Sequence, residues 1–181
     1  MTHSTADSAR FILRHLVYLL VCIPGAGSGN CFSATDPWGV YRDLVGLWNA
    51  ETPAGRSDQA GSFSFAFDLQ EHILVRKNHL EMGKGDSHDD LLIMYWGDSS
   101  SVRAIYFDNE GHTIRYGVTA TDGGRVIEFL SDRMAGAPRF KLTYTKTGRD
   151  RYDIGFFIAP PGEPETFAPY MHGSAVRASV R

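Results

Sequence analysis

Between Pro138 and Lys146 the chain reads PRFKLTYTK, with Phe140, Leu142 and Tyr144 at every second position and Arg139, Lys141, Thr143 and Thr145 between them. Successive side chains of an extended strand point to opposite faces, so this alternation demands a strand with one wet and one dry side. The pattern recurs along the chain. Phe63, Phe65, Phe67 and Leu69 alternate with Ser62, Ser64, Ala66 and Asp68, and Ile114, Tyr116, Val118 and Ala120 alternate with Thr113, Arg115, Gly117 and Thr119. Tyr152, Ile154, Phe156 and Ile158 follow the same rule. Turn residues separate the runs: DNEG (Asp108 to Gly111), TDGG (Thr121 to Gly124) and APPGEPE supply the Gly, Asn, Asp and Pro that tight reversals need. Strands are predicted near residues 44–50, 62–69, 72–82, 90–97, 102–108, 112–120, 125–132, 138–146, 150–158 and 166–177. A meander with one apolar face closes on itself to remove its edges, so the fold class is all-β, a closed antiparallel up-and-down barrel of about 8–10 strands. One short helix is predicted from Pro37 to Leu47, where Trp38, Tyr41, Leu44 and Val45 recur at three- or four-residue spacing and plug one end.

With 181 residues, 43% of them hydrophobic, the chain supports one sizeable core. A formal charge of -3 and the lack of long Lys/Arg runs exclude a nucleic-acid footprint. The first residues differ from the rest: Arg10 and Arg14 precede an apolar run from Leu16 to Ile23, followed by Pro24 and GAGSGN. That order is a secretory signal, and the run is too short to span a bilayer. The expectation is a signal peptide over residues 1–34, cut after Ser28, Ser33 or Ala34, and a barrel domain over residues 35–181, exported to the periplasm or beyond without a stable membrane span. Cys22 lies inside the apolar run and Cys31 just past it, so the mature domain has no internal disulfide. Cys31 is read as incidental, with lipidation as the alternative.

At the junction of the predicted helix and first strand, Gly46-Leu47-Trp48 resembles the Gly-x-Trp that opens the barrel in calycins, the lipocalins and fatty-acid-binding proteins. The segments LLIMYWGD, AIYFDNEGHTIRY and PRFKLTYTK extend the likeness to a bacterial lipocalin-like family of unknown function, over about residues 38–177. The resemblance implies that Trp48 lies across the closed end and that Arg177, in GSAVR, packs on it, with Gly46 completing the barrel closure. No third lipocalin motif and no C-terminal helix are evident, so the resemblance implies a barrel more than any ligand class.

Phe65, Tyr106, Tyr116, Tyr144 and Phe156 fall on the apolar parity and are the candidate cavity lining. A buried phenol needs a hydrogen-bond partner, so inward tyrosines point to a polar network or to a cavity, and for a ten-strand barrel a cavity is preferred over a filled core. The expected partner is a small apolar molecule bound without catalysis and without a cofactor. Two other readings stay open: an isomerase or hydrolase using His112 with Asp108 at the barrel mouth, and a structural or partner-binding envelope protein. His172, in PYMHGS, invites comparison with haem-binding nitrobindin-like barrels, but a lone His is read first as a structural or surface residue. The densest group of metal-ligand types, DSHDD from Asp86 to Asp90, is read as a solvated hairpin loop, so no metal site is assigned.

Overall fold

The computed structural model of the chain describes residues 36–51, 60–81, 85–97 and 101–179; the leader expected over residues 1–34, with Cys22 and Cys31, lies outside them. Ten strands form one closed antiparallel barrel: β1 Gly46–Ala50, β2 Ala60–Asp68, β3 Ile73–Glu81, β4 Ser87–Trp96, β5 Val102–Asp108, β6 Thr113–Thr121, β7 Val126–Ser131, β8 Arg139–Gly148, β9 Arg151–Ala159 and β10 Ala168–Arg177. Each strand pairs with its neighbours in sequence, and β1 closes the ring by pairing with β10. The seam is short, Trp48 opposite Arg177, Asn49 opposite Val176 and Ala50 opposite Ala175. Among the described residues no helix is long and apolar enough to cross a membrane.

The largest departure from the expected boundaries is at β4, which starts at Ser87. Ser87 to Asp90 look like loop residues by composition, yet they continue the ladder opposite Glu81 to Asn78. Backbone pairing with a strand already in place outweighs their weak strand propensity.

The expected N-terminal helix is a six-residue 3-10 helix, Gly39–Leu44. Trp38, Tyr41 and Leu44 repeat at intervals of three, and a helix with three residues per turn places them on one face, where all three are buried. The 3-10 helix seats them as a plug across the end of the barrel where β1 starts, hereafter the closed end. The Trp38 ring meets Phe67 at 5.5 Å and Trp96 at 5.8 Å, and its Nε1–H donates to the Glu71 carbonyl at 2.6 Å. That carbonyl belongs to the β2–β3 turn, where Leu69, Gln70 and Glu71 all have left-handed φ of 48°, 56° and 64° without a glycine among them. Such a conformation costs roughly 1–2 kcal/mol per residue. The Trp38 hydrogen bond and the Arg42–Glu71 ion pair hold the turn in place.

Gly46 is required where the plug meets β1. Its φ is +133°, and a Cβ there would stand 2.5 Å from Arg177 Nη1. Gly46→Ala should therefore lower stability by about 1–3 kcal/mol through backbone strain and displacement of Arg177. The check is the shift in urea midpoint, and a midpoint equal to that of the parent would contradict it.

Candidate functional site

The two ends of the barrel are built differently. At the closed end the Arg177 guanidinium lies 4.2 Å from the centroid of the Trp48 ring. Trp48 is fully buried, stacks on Phe63, meets Tyr152 edge-on at 5.0 Å, and donates its Nε1–H to the Leu44 carbonyl at 2.8 Å. Arg177 donates in turn to the carbonyls of Val45 and Asp43 and to the Asp150 carboxylate. The last strand, the first strand and the plug thus meet on one indole.

The middle of the barrel is filled. Three of the five candidate lining residues, Phe65, Tyr116 and Tyr144, are each 1% exposed and pack among aromatic neighbours. Tyr144 sits 5.8 Å from Phe63 and from Phe65, 5.9 Å from Phe129 and 6.2 Å from Tyr152, all four as edge-to-face contacts. Such offset rings are the favourable arrangement for aromatic cores.

Toward the opposite end the filling stops. On β6 the inward positions run from buried Val118 and Tyr116 to half-exposed Ile114, and on β8 from buried Tyr144 and Leu142 to half-exposed Phe140. On β9, Tyr152 is buried whereas Ile154 and Phe156 are half-exposed; on β5, Val102 and Ala104 are buried whereas Tyr106 is half-exposed. The same gradient runs along β3 from Leu74 to Asn78 and along β4 from Leu92 to His88. Among the described residues the inward side chains at this end keep partial exposure and outline a cup; at the closed end Phe67, Ala120 and Trp96 keep some exposure as well. Tyr106 and Phe156, the other two candidates, stand on the wall of the cup.

The wall has two characters. On one side Ile114, Phe140, Ile154 and Phe156 are apolar, with the rings of Phe140 and Phe156 stacked at 5.9 Å and Tyr170 edge-on to Phe156. On the other side Asn78, His88, Tyr106 and Asp108 are polar, and the last three form a chain. His88 Nε2 is 3.0 Å from the Tyr106 hydroxyl, which donates to Asp108 Oδ2 at 3.2 Å. Below them lies a buried ion pair. Arg76 Nη2 is 2.7 Å from both oxygens of Asp90, Arg76 Nη1 donates to the Tyr144 hydroxyl at 2.6 Å, and Asn78 Nδ2 donates to Asp90 Oδ2 at 2.9 Å. Arg76 and Asp90 are 7% and 8% exposed, and the Arg76 Nε is buried without a partner among the described residues. Burial alone would disfavour the Arg76 charge, but the fields of Tyr144 and Asp90 more than restore it, so the guanidinium stays ionised. Burial and the nearby carboxylates push the Tyr106 phenol well above the ordinary tyrosine range, and burial does the same to Tyr116. Both hold their protons at neutral pH, and Tyr106 donates its proton to Asp108.

Asp108 and His112, the acid–base candidates, are brought together at the rim. Asp108 Oδ1 accepts the backbone N–H groups of Glu110 and His112 at 3.1 and 2.8 Å, and Oδ2 lies 2.8 Å from His112 Nδ1. The carboxylate ties down the β5–β6 turn, while the imidazole is 61% exposed. Its pKa is raised by the hydrogen bond to Asp108 and by that residue's charge. For Asp108, burial works upward, but the backbone N–H and ring of His112 outweigh it and bring the carboxyl below its usual value. A raised His contributes stability below its unfolded pKa and loses it as pH rises through the folded value. A lowered Asp contributes above its unfolded pKa and loses it as pH falls through the folded value. The pair therefore holds the turn best between the two titrations. By NMR the His112 ring should titrate above the ordinary 6.5, and Asp108→Asn should bring it back toward that value. An unchanged midpoint in the variant would contradict this account.

The DSHDD segment is divided by the strand. Asp89 points outward to His79 Nδ1 at 2.6 Å, whereas His88 and Asp90 point inward. Among the described residues no group of three or more His, Cys, Asp or Glu side chains is placed to hold a metal ion. His172 lies on the outer face of β10, opposite Gly155, with its ring edge-on to Phe157 at 5.6 Å.

Arg76 and Asn78 are site residues that the sequence does not single out, and His88 and Asp90 enter the sequence reading only as part of the solvated DSHDD loop. A signal does exist. Arg76 and Asn78 share the parity of Leu74, and His88 and Asp90 share that of Leu92 and Met94. On β3, however, Ile73 and Val75 make the other face equally apolar, which hides the inward face.

No protein-family model matches the chain, and no curated protein matches it.

Proposed function

We propose that this is an exported, calycin-like carrier or sensor that holds a small, largely apolar molecule in the cup at the open end of the barrel. The observation that carries this reading is the partial exposure of inward side chains on six strands toward this end, above a middle that is tightly packed. A barrel made only for structure has no reason to leave Ile114, Phe140, Ile154 and Phe156 incompletely covered on its inside, since each exposed apolar wall forgoes burial worth about 25 cal/mol per Å². An apolar guest covers them. The filled half and the plug give the cup a rigid base, and rigid pre-formed pockets bind with less ordering cost.

The test is titration with the neutral fluorescent probe N-phenyl-1-naphthylamine. Saturable one-site binding is expected, and Phe140→Ser should weaken it about tenfold, the equivalent of about 1.4 kcal/mol of lost contact. The Phe140→Ser melt should stay close to the parent, because Phe140 is only half-buried. Failure of the parent to bind the probe saturably would sink the proposal.

A further inference from the structure

The polar side of the cup says what kind of head group its guest carries, given the binding role proposed above. An arginine near a pocket floor normally suggests a clamp for a carboxylate or phosphate. Here that role is already filled from within the chain. Arg76 Nη2 contacts both oxygens of Asp90 at 2.7 Å, and Nη1 is occupied by the Tyr144 hydroxyl. Around this one neutralised cation stand further acidic groups: Asp108 from β5, 4% exposed at its side chain, and Glu110 from the β5–β6 turn, which lies 3.3 Å from His88 Nδ1. Other polar groups at this end are Asn78 from β3, His88 from β4, Tyr106 from β5, the His112 ring at the rim and Ser131 from β7, whose hydroxyl accepts the Phe140 N–H. Carboxylates outnumber the guanidinium, and the two nearest the floor, Asp90 and Asp108, are almost wholly withdrawn from water. An anion placed among them meets like charge where screening is weakest.

Hydrogen-bond donors find acceptors in the same place. Asn78 gives its Nδ2 to Asp90, which leaves its amide oxygen as an acceptor on the wall. We infer that the cup takes the hydrogen-bond-donating end of an amphiphile, a hydroxyl, amide or ammonium group, against Asn78, His88 and Tyr106, with its chain along Phe140 and Phe156, and that it discriminates against carboxylates and phosphates.

The experiment is displacement of N-phenyl-1-naphthylamine from the full chain by four ligands with one alkyl chain and different ends: octanol, octanamide, octylamine and octanoate, at neutral pH. The first three should compete, with octanoate weaker by about tenfold or more. Asp108→Asn, which keeps side-chain shape while removing one charge, should narrow that gap to about threefold, read as the ratio of octanol to octanoate affinity on the variant itself. Octanoate competing as well as octanol on the parent overturns the head-group inference and leaves the carrier reading intact. A parent that does not bind the probe overturns both. An unchanged gap in Asp108→Asn, with its thermal melt intact, shows that charge does not set the preference and also overturns the inference.

Discussion

Asp90→Ala is expected to lower unfolding free energy by about 3–5 kcal/mol, because it leaves a guanidinium buried without its counter-charge. Arg76 is nine-tenths buried, its Nη2 is bonded to both Asp90 oxygens, and its Nε already lacks a partner, so no alternative acceptor among the described residues stands ready to replace the carboxylate. Arg76→Met should cost less than Asp90→Ala, since the Asp90 carboxylate left behind keeps its hydrogen bond from the Asn78 amide. The double replacement Arg76→Met with Asp90→Leu removes both charges from an interior that already contains Leu74, Leu92 and Met94. It should be far milder than the sum of the singles, because a buried pair is often matched by well-packed apolar side chains. Urea melts of the four proteins give the coupling energy directly. An Asp90→Ala variant within about 1 kcal/mol of the parent would show that the pair is solvated in solution and that the floor of the cup is not dry.

The second large effect belongs to the closed end. Trp48→Ala should cost about 3–5 kcal/mol, the range for deleting a large aromatic from a packed core. The indole is completely buried between Phe63 and Tyr152, and its N–H satisfies the Leu44 carbonyl at the end of the plug. Arg177→Ala should cost about 1–3 kcal/mol, through the stack on Trp48 and the loss of donors to the Val45 and Asp43 carbonyls. Their effects should not add: in the double mutant the stack is already lost, and a coupling of at least about 0.5 kcal/mol is expected. Strict additivity would mean that the 4.2 Å stack contributes nothing beyond two independent packing positions. Neither substitution should alter probe binding in the cup, which lies toward the other end of the strands, so the same two variants separate folding from ligand binding.

Much of the architecture is legible without coordinates because it rests on local repetition. Period-two alternation in segments such as PRFKLTYTK assigns each side chain to the inside or the outside, and Phe140, Leu142 and Tyr144 do face inward together. Turn chemistry is legible where glycine carries it: Gly111 at φ +91° follows DNE as a tight reversal should. It is not legible at Leu69 to Glu71, where the left-handed backbone is maintained by Trp38 and Arg42 from a segment some thirty residues away. The plug was visible as an apolar repeat, but its 3-10 form follows from the strict spacing of three in Trp38, Tyr41 and Leu44, which an α-helical reading with Val45 obscures.

The chain's own order of residues therefore determined ten strands, the inward faces of those that alternate cleanly, and the aromatic character of the interior, since each depends on neighbours within a few positions. Only the closed tertiary structure decided which inward residues meet and at what height the filling ends. Arg76, Asp90 and Tyr144 are separated by 14 and by 68 positions and come within hydrogen-bond reach only when β3, β4 and β8 take their places around one ring. Likewise Tyr144 became core and Phe156 became wall, although both alternate in the same way along their strands. Alternation tells a side chain which way to point. Whether it finds a partner there or an opening depends on the strands across the barrel, and those arrive through register and closure.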